Sequence, residues 1–193
     1  SDKMLGDIEE RTLAQFFPDL EQRTVKQVQD GIGRSYERAY TTLKGLEKQG
    51  ILKSEEIGGT LVYRIKEKNR LEIYQTFLNR MIGRLEKFNS KHDEIAKAMR
   101  ELRNGAKPEL IALFGSYSRG AERKESDVDV LIVSNDRKGA ERAAFSLRHS
   151  FGVNFSPVVI SREEAFKIRK DNPPLFSELR DFGLVFFGCD LFF

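Results

Sequence analysis

The chain reads as an α+β protein built from three consecutive parts, and three observations predict this. Residues 8–65 set out a helix, a short helix, a turn, a longer helix and a hairpin, in that order. From Leu71 to Leu102 apolar residues recur at spacings of 3 and 4, the signature of one long helix with a narrow seam. From Glu109 onward apolar runs alternate with helical patterns, which suits a small α/β domain with helices packed on a mixed sheet. The expected boundaries are 1–68, 69–107 and 108–193.

Composition narrows the class. The 193 residues are 39% hydrophobic and 33% charged, a balance suited to a globular protein that faces water. No apolar run approaches the roughly 20 residues of a membrane span, so no membrane partner is expected. The opening Ser-Asp-Lys-Met carries no feature of a signal peptide. A single cysteine, Cys189, excludes an internal disulfide, and the expected location is the cytoplasm. The two histidines, His92 and His149, are far apart and suggest no zinc site. A net charge of +3 is too small to identify a nucleic-acid binder, so its distribution matters more.

In the first part Ile8, Leu13, Phe16 and Phe17 predict a helix that ends near Pro18. Thr24 to Val28 opens a second helix, closed by Gly31-Ile32-Gly33. Ser35 is placed to cap a third, Tyr36–Lys48, whose apolar face is Ala39, Leu43 and Leu46. Gly50 ends it, and Ile51–Lys53 and Leu61–Ile65 read as strands around a Gly58-Gly59 turn. Residues 1–68 hold twelve basic and twelve acidic side chains, but Arg23 to Lys66 holds nine and five.

The stretch from Thr24 to Ile65 resembles the winged helix-turn-helix of prokaryotic transcription regulators. The resemblance implies DNA as a partner, with the third helix in the major groove. Arg34, Arg38, Thr41, Thr42 and Lys48, read as facing away from the apolar stripe, are the expected contacts. Gly59, Thr60 and Arg64 would belong to the wing. Glu37 weighs against phosphate contact, and such modules also serve as protein-docking or dimerisation units, so both uses stay open.

In the middle part Asn69 followed by Glu72 reads as a helix cap. The seam is Leu71, Tyr74, Leu78, Met81, Leu85, Phe88, His92, Ile95, Met99 and Leu102. At 1.5 Å per residue this helix would be about 50 Å long. It can pair with a second copy as a homodimer or pack on the chain's own domains, and Asn89-Ser90 can split it in two. His92 reads as a packed histidine rather than a ligand. Residues 69–107 carry nine basic and five acidic groups, which leaves a nucleic-acid contact open. Asn104-Gly105-Ala106-Lys107-Pro108 reads as the linker to the last part.

The last part holds the densest chemistry. Leu113-Phe114-Gly115-Ser116-Tyr117-Ser118-Arg119-Gly120 reads as a buried strand, a glycine turn and a short polar helix. Ser126-Asp127-Val128-Asp129-Val130-Leu131-Ile132-Val133 follows as a strand opened by two carboxylates. Asp127 and Asp129, two apart on a strand, project from one face and can share a divalent cation. Gly115 and Gly120 let the backbone turn and approach a ligand closely. Backbone amides after Gly115-Ser116 would face an anion. After this strand come a helix over Gly139–Ser150, a strand over Phe155–Ile160, a helix opened by the capping box Ser161-Arg162-Glu163-Glu164, a stop at Asn172-Pro173-Pro174, a short helix and a closing strand over Leu184–Phe187.

Gly115-Ser116, ten residues, then Asp127-Val128-Asp129 before a hydrophobic strand resembles the nucleotidyltransferase superfamily of DNA polymerase β, in its minimal branch. Arg119-Gly120 and Ser126 match that branch too. The resemblance implies a nucleotidyltransferase-like α/β domain that uses Mg²⁺ (or Mn²⁺) and an NTP. Asp127 and Asp129 would bind the metal. Asp127, Asp129 and Ser116 would be catalytic, and Gly115, Ser116, Arg119, Gly120 and Ser126 would bind nucleotide. The acceptor is open; a protein hydroxyl is one candidate, as in antitoxin members, and an RNA end is another. The superfamily usually supplies a third carboxylate from the next strand. Here that position falls at Ser156, with Asn154 nearby, so the chain reads either as a transferase or as a DNA-binding regulator that only senses a nucleotide.

Overall fold

Capping chemistry sets the helix limits in the first eighty residues. The computed structural model describes residues 5–16 and 20–188; Phe17, Pro18 and Cys189 lie outside them. Helix α1 spans Asp7–Ala14, strand β1 Arg23–Thr24, α2 Val25–Ile32, α3 Tyr36–Lys48, β2 Leu52–Ile57 and β3 Thr60–Ile65. The Thr24 hydroxyl accepts from the Gln27 amide while the Gln27 carboxamide accepts from Thr24 N–H, which satisfies two donors at the start of α2. Gly33 closes α2 in the left-handed conformation, at φ 61°. Ser35 then caps α3 by accepting from Arg38 N–H. The three strands form an antiparallel sheet in the order β1-β3-β2. Its core joins Leu13, Phe16, Val28, Ile32, Leu43, Leu46, Leu52 and Tyr63.

Thr42 departs from expectation. It is buried, at 9% exposure, and its hydroxyl donates to the Arg38 carbonyl, so it is no surface contact. On a helix, positions 39, 42, 43 and 46 share one face, and the short threonine side chain fits under the neighbouring core. Arg34, Arg38, Thr41, Lys48, Gly59, Thr60 and Arg64 are exposed. Arg64 is ion-paired to Glu55 across the hairpin at 3.1 Å.

The long helix is two helices. A short turn at Glu67–Asn69 leads into α4, Arg70–Lys91, and α5 spans Asp93–Ala106. The break falls at His92, whose φ of −129° and ψ of 57° lie outside the helical region, and not at Asn89-Ser90. Asn69 does not cap α4; its side chain donates to the Gly50 carbonyl at 2.7 Å. The expected linker from Asn104 is helical as far as Ala106. The chain divides into two compact units, Ser1–Arg80 and Met81–Phe193, so the expected middle part is shared between them. In the first unit Ile73, Tyr74 and Phe77 join the core. In the second Phe88, Ile95, Met99 and Leu102 are buried in the core and offer no surface to a second copy.

The second unit continues with β4 Leu110–Phe114, α6 Gly115–Arg119, β5 Val128–Val133, α7 Arg137–Phe151, β6 Phe155–Ile160, α8 Arg162–Asp171, α9 Pro173–Phe182 and β7 Leu184–Phe187. The sheet order is β6-β5-β4-β7, with β5 parallel to β6 and the other pairs antiparallel. Alternation along the strands gives it two apolar faces. Ile111, Leu113, Val130 and Ile132 pack with Met99 and Leu102 of α5 and Ala144 and Leu147 of α7. Leu110, Ala112, Leu131 and Val133 pack with Leu179 of α9 and Ile168 of α8. The result is a mixed sheet between two helical layers.

Leu113 is fully buried, whereas Leu71 is 70% exposed. Leu113→Ala is expected to cost about 2–5 kcal/mol of unfolding free energy in urea titration, and Leu71→Ala within about 0.5 kcal/mol.

Candidate active site

The site follows from strand pairing. Because β4 and β5 run antiparallel, the end of β4 lies beside the start of β5, and Phe114 pairs with Asp129. The residues that follow Phe114, Gly115 and Ser116, therefore arrive next to the carboxylates. Asp129 shares its sheet face with Leu131 and Val133, the face covered by α8 and α9, and Asp127 lies just before the strand, near enough for its charge to act on Asp129. Asp127 is exposed and Asp129 half-buried.

Gly115 has no substitute here. Its φ is 72°, where an L side chain is strained, and a Cβ on it would lie 2.1 Å from Asp129 Oδ2. The carboxylate thus rests directly against the glycine backbone. Gly120, at φ 68°, ends α6 in the left-handed conformation. Among the described residues the Ser116 hydroxyl holds no hydrogen bond, so it is free for a ligand. The Ser126 hydroxyl accepts from Arg123 N–H at 2.8 Å and shapes the turn that leads into Asp127.

Strand β6 and the residue just before it supply two neutral partners. Ser156 lies in register with Asp129, and Asn154 donates its side-chain amide to Asp127 Oδ1. The expected alignment of Ser156 with the third-acid position agrees with this register. Burial, then the neighbouring Asp127 charge, pushes the Asp129 carboxyl above its ordinary value of 3.8; Arg119 and the Ser156 hydrogen bond pull it back only in part. A divalent cation would relieve the same repulsion. Two carboxylates suit Mg²⁺, a hard ion that takes oxygen donors and leaves positions for phosphates and water. Among the described residues no group of three or more His, Cys, Asp or Glu side chains is placed to hold a metal.

Several contacts around the site carried no sequence signal, because their partners are distant in the chain. Arg119 Nε donates to the Gly115 carbonyl at 3.3 Å and stands 3.2 Å from Glu178 Oε1 on α9. Arg84 of α4 donates to the Ser118 carbonyl at 3.3 Å and to the Phe182 carbonyl, tying α6 to α9. Glu122, just past α6, is held by Lys91 at 2.5 Å and by His92 at 3.3 Å, and Lys91 keeps its carboxyl below the usual range. His92 is therefore a packed histidine, against Phe88 and Tyr117, as expected.

Residues 92–182 match the family model described as nucleotidyltransferase domain. Over 52 residues the chain is 35% identical to a protein of Methanocaldococcus jannaschii named a protein adenylyltransferase; the match covers 27% of this chain and 60% of that relative. Among solved structures the archaeal chromatin protein TrmBL2, reported for its mode of DNA binding, is 16% identical and aligns with 87% of this chain and 67% of its own, at a TM-score of 0.30. That score is too low to establish a common fold. The segment that matches the nucleotidyltransferase model lies within the second unit.

The raised Asp129 value fixes the sign of a pH effect. Folding tightens proton binding at Asp129, so the ionised carboxylate costs stability above its folded-state value, and the cost disappears as pH falls below about 3.8. In metal-free buffer Asp129→Asn is expected to raise the melting temperature at pH 7, and the difference from wild type should close below about pH 4. Gly115→Ala is expected to lose divalent-cation binding in a Mn²⁺ titration and to lose about 1–3 kcal/mol of stability.

Proposed function

We propose that this chain is a divalent-cation-dependent nucleotidyltransferase that moves a nucleoside monophosphate from an NTP to a protein hydroxyl. The observation that carries the reading is the carboxylate pair Asp127/Asp129 set against Gly115 and Ser116, inside a segment matched as a nucleotidyltransferase domain. The name of the Methanocaldococcus jannaschii relative supports adenylate as the group and protein as the acceptor.

The acceptor oxygen bonds to the α-phosphorus, the bond from that phosphorus to the bridging oxygen breaks, and pyrophosphate leaves with the bond's electron pair. Mg²⁺ or Mn²⁺, when bound, neutralises charge on the transferred phosphoryl group. Asp127 and Asp129 would hold that ion, with Asn154 and Ser156 hydrogen-bonded to the carboxylates. Ser116 and the Gly115 backbone receive the triphosphate, and Arg119 offers its charge to it. Gly120 and Ser126 shape the segment between the two strands. With asparagine just before β6 and serine on it, the acceptor's proton passes to water or to a group of the acceptor protein rather than to a third carboxylate.

A second reading concerns the first unit, which we propose binds duplex DNA as a winged helix. The exposure of Arg34, Arg38, Thr41 and Lys48 on or beside α3 and of Gly59 and Thr60 at the hairpin tip supports it. The neutral Ser156 favours the related view that the second unit senses nucleotide for a regulator without turnover.

Incorporation of label from α-³²P-ATP into protein separates the transferase from the sensor. Wild type is expected to transfer label, and Asp129→Asn to do so on the order of 10²-fold more slowly. ATP binding without pyrophosphate release or label transfer would leave the sensor. For DNA, fluorescence anisotropy with a duplex should show Arg38→Ala weakening binding and lowering the salt slope by about one. An unchanged slope would remove Arg38 from the phosphate contacts.

A further inference from the structure

Arg119 is fixed at one end only. Its Nε–H donates to the Gly115 carbonyl at 3.3 Å and lies 3.2 Å from Glu178 Oε1. Its Cζ stands over the Phe182 ring, 5.9 Å from the centroid. Its two terminal amino groups have no partner among the described residues, and the side chain is 47% exposed. An arginine clamped at Nε and open at both terminal nitrogens presents four N–H donors in a plane, the geometry that takes two oxygens of one phosphate.

The clamp is itself braced. Glu178 sits on α9 with a side chain only 21% exposed, which holds its position. Helix α9 is tied to α6 by Arg84, through the Ser118 and Phe182 carbonyls. Ser118 on α6 donates its hydroxyl to the same Gly115 carbonyl, at 3.0 Å. Glu178, the Gly115 carbonyl and Phe182 therefore define one orientation of the guanidinium beside the residue that rests on Asp129.

We propose that Glu178 is a positioning residue for nucleotide: it orients Arg119 so that its free amino groups engage a phosphate of the Mg-bound triphosphate. This rests on the nucleotidyltransferase reading above. Glu178 touches no phosphate. Its carboxylate faces Nε as an ion-pair partner while the Gly115 carbonyl accepts the Nε–H, which leaves the bidentate edge of the guanidinium free, so part of the side-chain entropy of Arg119 is lost on folding instead of on binding.

The test is calorimetric titration of ATP with excess Mg²⁺ into the full chain. Arg119→Ala and Glu178→Ala are each expected to weaken binding about tenfold, the worth of a charge-assisted hydrogen bond. Glu178→Gln keeps the shape but removes the charge of the ion pair, and is expected to weaken binding as Glu178→Ala does. In the Arg119→Ala background, Glu178→Ala should have no further effect. Glu178→Ala binding as tightly as wild type, or more tightly, would overturn the proposal, since Glu178 would then only compete for Arg119. Equal losses in both backgrounds would overturn it too, by showing a role that does not pass through Arg119. If wild type binds no Mg-ATP, the nucleotide reading itself fails; if wild type binds and the Glu178 variants do not differ from it, only the positioning role fails.

Discussion

The contact between the Asp129 carboxylate and the Gly115 backbone is the constraint on which the rest of the site depends. It exists because two strands far from each other's ends in sequence pair antiparallel, bringing Phe114 level with Asp129. It requires glycine twice over, for the positive φ and for the absence of a Cβ. Given that contact, a turn whose Ser116 hydroxyl is free lies beside two like charges that repel each other. A site that concentrates negative charge where folding has partly removed water is poised for a cation, and a cation there is poised for phosphates.

The surrounding elements serve this arrangement through electrostatics more than through bulk. Helix α9 covers one sheet face with apolar residues such as Leu179, and the same helix brings Glu178 and Phe182 to Arg119. Strand β6 completes the parallel edge and sets Asn154 and Ser156 against Asp127 and Asp129. These two partners are neutral donors. They contact the carboxylates without adding charge.

Much of this was legible before the structure, for reasons that can be named. Helix α3 and strand β6 match their expected limits because each has a clear boundary signal, the Ser35 cap at the start of one and the Ser161 cap that follows Val158-Val159-Ile160 at the end of the other. The strand that carries Asp129 was legible from its apolar run, although it begins at Val128, so Asp127 precedes it. What failed depended on packing. Thr42 looked like a surface residue by type, yet its place on the helix puts it over the core. The seam from Leu71 to Leu102 has an unbroken spacing, but His92 is held by Glu122, Phe88 and Tyr117, and the helix breaks there. Arg84 and Glu178 had no local pattern at all, since their partners lie tens of residues away.

The central claim is that Asp127 and Asp129 form a metal-dependent nucleotide site. It is tested most directly by calorimetric titration of each NTP, with and without Mg²⁺, on wild type and on the Asp127→Asn/Asp129→Asn variant. The account predicts that wild type binds one nucleotide in the presence of Mg²⁺ and that the variant loses the Mg²⁺-dependent part of that binding. Equal binding by wild type and variant, or no binding by either, would contradict it.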